Sequence, residues 1–195
     1  MPNERKVDIP IFPLNTVLFP GGVLPLKIFE QRYLDMTKAC LRDGTHFGVC
    51  LINDGQEVGT PATPAEVGTI AHIERWDMPQ LGIFHLVTKG AERFRILSME
   101  TTSSGLIRGE VATLDPEPSA PVAERHGQCV EVLRQLVERF GDEHFPPPHD
   151  YTDASWVSYR LAEILPIDRF EKQRMLVAND AIARLDRVLH LLKRG

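Results

Sequence analysis

Cysteine is scarce in this 195-residue sequence. Only Cys40, Cys50 and Cys129 occur, far apart and with no Cys-x-x-Cys pair. A disulfide framework or a zinc ribbon is therefore not expected, and reduced thiols in the cytoplasm fit better. A basic excess is also missing. Lys and Arg number 22 against 27 Asp and Glu, the formal net charge is -5, and no run of five like charges appears. Nucleic-acid binding relies on a basic face, so it is disfavoured. No run of 18 apolar residues exists, so no membrane-spanning helix is expected. The opening stretch is apolar, but Pro10, Pro13 and Pro20 interrupt it and no small-residue cleavage site follows. It does not read as a signal peptide.

Catalytic signatures are missing as well. There is no Gly-x-x-x-x-Gly-Lys-Ser/Thr to cradle phosphates, no Gly-x-Gly-x-x-Gly after a strand, no Gly-x-Ser-x-Gly elbow and no His-Glu-x-x-His. No catalytic residue, metal ligand or cofactor is assigned, and an enzyme is not expected.

What remains is an ordinary globular composition, 43% hydrophobic and 25% charged. Its character changes near Asp115-Pro116-Glu117-Pro118-Ser119-Ala120-Pro121, a stiff non-helical connection. Before it, short apolar runs at residues 9–14, 23–26, 47–52, 69–73, 83–87, 94–97 and 106–114 read as strands. Glycines, Gly90 among them, separate these runs. One early helix is expected over residues 30–42, stopped by Gly44. After the connection the pattern is helical. Cys129, Leu133, Leu136 and Phe140 form one stripe, and Val157, Leu161 and Ile164 a second, opened by Asp153. A third helix is expected to run unbroken over residues 167–193, with a seam of Met175, Ala178, Ile182, Leu185, Leu189 and Leu192. The class is α+β with segregated elements: a β-rich domain over residues 1–118 and a helical subdomain over residues 119–195.

One segment resembles a metal site. Residues 142–150 hold His144, His149 and three carboxylates around Pro146, Pro147 and Pro148. Polyproline geometry would hold the two imidazoles roughly 15 Å apart. A single metal needs its ligand nitrogens about 2 Å away, so a rigid polar loop is the expected reading. His72 and His85 sit in strand patterns and are expected to be structural or surface groups. Trp76 and Trp156 are expected to anchor a core or an interface.

The opening carries a longer pattern. Ile9-Pro10-Ile11-Phe12-Pro13-Leu14 leads to Phe19-Pro20-Gly21-Gly22, then Leu24-Pro25-Leu26 and Ile28-Phe29-Glu30-Gln31-Arg32-Tyr33. Val67-Gly68-Thr69-Ile70-Ala71, Gly90-Ala91-Glu92-Arg93-Phe94-Arg95-Ile96 and Leu165-Pro166-Ile167 with Lys172-Gln173 follow in order. Together these blocks resemble the N-terminal, substrate-binding domain family of Lon proteases. One departure is the stretch Met78-Pro79-Gln80-Leu81-Gly82-Ile83-Phe84, where the family commonly has an Asp-Gly-Arg turn.

The resemblance implies a PUA-like pseudo-β-barrel followed by a C-terminal helical bundle. It also implies a domain that helps capture unfolded or tagged polypeptides, without the ATPase and peptidase that the family's full-length members carry. A protease or chaperone would then be a partner. Phe12, Phe19 and Phe29, set among prolines and glycines, are candidate peptide-binding residues, with Arg32 and Arg93 as candidate carboxylate anchors. The alternative for each is packing of the barrel, or internal ion pairing for the arginines. Two other functions stay open. One is RNA binding through the PUA-like fold, and the other is binding of a small molecule.

Overall fold

The computed structural model describes residues 5–193. Its chain contacts divide it into two units. The first takes in the chain up to Pro20 together with Leu24–Asp115, and the second takes in Gly21–Val23 and the chain from Pro116 onward.

The first unit is built from β1 (Lys6–Leu14), β2 (Val23–Ile28), α1 (Gln31–Asp43), β3 (Phe47–Asp54), β4 (Thr63–Pro64), β5 (Val67–Gln80), β6 (Ile83–Thr101) and β7 (Ile107–Thr113). The strands run in the order β1-β7-β6-β5-β3-β4. Neighbours are antiparallel except for β1 and β3, whose parallel pairing of Ile11 with Gly48 and Leu14 with Leu51 closes the sheet on itself. This is the expected α+β pseudo-barrel, with every helix but α1 in the second half of the chain.

Closure buries both faces of β1. Ile9 and Ile11 join Cys50, Ile70, Phe94, Ile107 and Val111 in one core cluster. Phe12 and Leu14 join Phe47, Val49 and the α1 residues Tyr33, Leu34, Met36 and Cys40 in another. Helix α1 therefore covers one face of β1, and each large apolar side chain so buried contributes about 2–3 kcal/mol. Gly44 ends α1 in left-handed geometry at φ 64°, as the sequence predicts.

The two runs expected on either side of Gly90 are one 19-residue strand, β6. The glycine marks a close approach, not a break. A Cβ there would meet the carbonyl oxygen of Phe19 at 2.2 Å. β5 and β6 pair from Val67–Arg95 out to Gln80–Ile83, a long hairpin closed by Leu81 and Gly82. Gly82 takes the positive φ of 81° that such a tight turn needs.

The second unit holds a short 3-10 turn (Glu124–His126), α2 (Gly127–Phe140), α3 (Ala154–Ile164), α4 (Arg169–Val177) and α5 (Ala181–Leu192). The single helix expected over residues 167–193 is thus two. Ala178 leaves helical geometry at ψ 133°, and the Asp180 carboxylate accepts the Ala183 N–H at 2.9 Å to start the next helix. The break shifts the buried seam. Met175 and Leu185 stay in it, and Leu176, Ala181, Arg184 and Val188 join them.

The histidine-bearing loop does not stay extended. His149 Nε2 lies 2.7 Å from the carbonyl of Phe145, and the His144 ring packs 5.5 Å from that of Phe140. Asp153 caps α3 as expected, accepting the Trp156 N–H. All three cysteines are buried free thiols. No helix among the described residues is long and apolar enough to cross a membrane.

Candidate functional site

A groove of about 240 Å³ opens in the first unit, lined by the end of β1, by residues 24–30 and by Tyr33, Glu57 and Val58. The sequence motif makes this groove directly. After β1 the chain bends at Asn15 and Thr16 and turns at Pro20 and Gly21 into β2, and α1 then begins at Gln31, with Phe12 and Tyr33 stacked 4.0 Å between centroids. This pair forms an apolar wall. Burial pushes the Tyr33 phenol up to about 12, despite the opposing pull of the Arg32 guanidinium. The phenol therefore stays neutral across the physiological range.

Two side chains at the mouth are unusual for their size. Phe29 is 51% exposed and Val58 is 55% exposed. The loop that carries Val58 is fastened at two points. Glu57 Oε1 accepts the Asn15 N–H. Glu30 Oε2 accepts both the Gly59 N–H at 3.4 Å and Arg32 Nη2 at 3.0 Å. Arg32 is accordingly consumed within the fold: it is buried, paired to Glu30 and bonded to the Gly105 carbonyl at 3.1 Å.

The structure thus brings Phe12, Phe29 and the Glu30–Arg32 pair to one place. Phe19 and Arg93 are elsewhere. Phe19 has no exposed surface, and Arg93 is buried with Nη2 3.5 Å from the Asp115 carbonyl. Val58, Leu24 and Leu26 also belong to the groove. Sequence reasoning missed Val58, which sits in a Gly-flanked polar stretch without periodicity. The alternation of Leu24, Leu26 and Ile28 was the readable signal for the rest.

A second, open depression of about 700 Å³ lies over the far half of the hairpin, where Pro25 and Lys27 of β2 approach Arg75–Asp77 and His85–Val87. Asp77 stands opposite His85 and Arg75 opposite Val87, so charged and polar side chains join the apolar ones in its lining. Trp76 is part of the lining too. It stands opposite the buried Leu86 and packs edge-on to Phe84 at 5.7 Å, yet remains half exposed. A third depression of about 480 Å³ carries Arg5, Asp8, Asp43, His46 and Arg108, with Arg108 paired to Asp8. There His46 stacks on His72 at 3.7 Å, and burial together with the neighbouring imidazole depresses the His46 pKa. No cluster of three or more metal-ligating side chains exists among the described residues.

Solved structures place this architecture in a known class. A Lon N-terminal domain protein from Xanthomonas campestris superposes with a TM-score of 0.78 at 34% identity, covering 94% of this chain and 98% of that one. The N-terminal domain of a Mycobacterium avium complex Lon protease shares the fold, with a TM-score of 0.65 at 16% identity over 94% of this chain and 97% of that one. In sequence, the family described as the ATP-dependent protease La (LON) substrate-binding domain matches residues 8–194. The chain belongs to that family. Lon protease 2 of Myxococcus xanthus is 26% identical over 95% of this chain. The Lon protease of Paraburkholderia phytofirmans is 29% identical over 97% of it. The chain spans only 23–24% of the length of these two relatives.

Proposed function

We propose that this domain is a non-catalytic, cytoplasmic polypeptide-binding module. It captures unfolded or tagged chains through the groove beside β2, in an adaptor-like or chaperone-like role linked to proteolysis. The observation that carries this reading is the apolar groove, with Phe29 and Val58 half exposed at its mouth. Burying such side chains against a ligand is a favourable, weakly salt-dependent contact. Family membership supports a substrate-binding role. The buried positions of Arg32 and Arg93 leave the apolar side chains, not a carboxylate clamp, as the main source of affinity.

The test is fluorescence anisotropy with a labelled, permanently unfolded polypeptide at low and high salt. Saturable binding that persists at high salt is expected. Phe29→Ala should weaken it by about fivefold to tenfold, the loss of roughly 1–1.5 kcal/mol of contact, while leaving thermal unfolding nearly unchanged. Absence of binding at millimolar concentration, or binding that collapses with salt as phosphate contacts do, would refute the reading.

A further inference from the structure

The capture groove runs along an open strand edge. Among the described residues β2 pairs with β6 alone. The groove is lined by the whole of residues 24–30 and by no residue of β6, so it lies along the side of β2 that faces away from β6. Backbone groups of a strand point alternately to its two sides. The Leu24 carbonyl points toward β6, where it accepts the Thr88 hydroxyl at 2.8 Å. By alternation Leu26 and Ile28 share that direction, while Pro25 and Lys27 present their backbone groups to the groove.

The placement of Pro25 agrees with this. A proline has no N–H to give, and inside sheets it is tolerated where that position faces no partner strand. At Lys27 the groove side offers both an N–H and a C=O. Its polar edge is flanked by apolar surface from Phe12, Tyr33, Phe29 and Val58. An extended polypeptide is the ligand that answers both, because its backbone supplies the complementary donor and acceptor and its alternate side chains reach the apolar walls.

We propose that the captured chain adds to β2 as a further strand, paired at Lys27 and with every second side chain in the groove. Resting as it does on the capture reading above, this specifies the ligand as an extended segment with apolar residues at alternate positions. Pro25 limits the added ladder to the Lys27 end of β2.

The experiment uses the full chain and a fluorescein-labelled decapeptide alternating leucine and serine. Amide exchange of Lys27 should be fast in the free protein and slowed at least about tenfold by saturating peptide. Single N-methylations along the peptide should weaken binding about tenfold only at the one or two positions whose N–H meets the Lys27 or Pro25 carbonyl, and barely elsewhere, since each removes one backbone donor. Lys27→Pro should cost a similar factor. Should that variant fail to fold, the exchange and N-methyl measurements decide alone. Peptide binding with Lys27 still exchanging freely and no N-methyl-sensitive position would overturn strand addition while leaving capture intact. No binding of any peptide or unfolded chain would overturn capture itself.

Discussion

Phe19 and Phe29 stand in the same motif ten positions apart and have opposite fates. Phe19 has no exposed surface, and its carbonyl lies against Gly90. Phe29 projects at the groove mouth. Phe19→Ala should therefore act on stability, lowering it by about 3–5 kcal/mol in a urea melt as a core cavity opens. Gly90→Ala should destabilise by several kcal/mol on the same assay, because the new methyl collides with rigid backbone and not with a side chain that can swing away. Neither role was legible in the sequence. A proline- and glycine-flanked phenylalanine reads identically whether it lines a groove or fills a core, since the difference lies in which distant strand passes beside it. Arg184 makes the same point with a charge. It sits at an unremarkable helical position in the sequence, yet it is fully buried. It is paired to Glu117, bonded to Ser158 Oγ at 2.8 Å and stacked over Tyr159 at 3.8 Å. Such a buried pair is costly to break from one side.

At the scale of elements, periodicity located strands and helices well and failed where one glycine or one cap had two meanings. Gly90 reads as punctuation and is a point of contact. Asn179-Asp180 reads as two more helical positions, but Asp180 offers its carboxylate to the backbone and starts α5. The end of α3 carries a pH consequence. Burial pushes the Glu163 carboxyl up to about 7, although Arg160, 2.6 Å away, and Lys172 pull it down. The folded state thus holds this proton more tightly than the unfolded chain, whose carboxyl titrates near 4.5. The contribution is fully present below the unfolded value and is lost as pH rises through about 7. Urea denaturation should show a fall on the order of 1–2 kcal/mol between pH 4.5 and 7 from this group. Glu163→Gln should flatten that slope.

For the whole molecule, the family resemblance and the strand-then-helix layout were readable from the ordered blocks of the first 35 residues and the Pro-rich connection. The closure of the barrel was not. It depends on a parallel pairing of β1 with β3 across an intervening helix, and nothing local in either strand announces a partner. The groove was half legible: the motif supplied Phe12 and Phe29, while Val58 arrives from a loop that only the folded chain brings alongside.

The assignment of Gly21–Val23 to the second unit has a consequence for how the molecule is made. The chain leaves that unit after Val23 and returns at Pro116, so most of the strand unit is topologically an insertion, a loop of roughly ninety residues whose closure carries an entropic cost that grows only slowly with length. During synthesis the tripeptide emerges long before the helices it will join. The barrel strands can find one another in that interval, and the helical unit becomes complete only when the last part of the chain comes back to a segment laid down near its beginning.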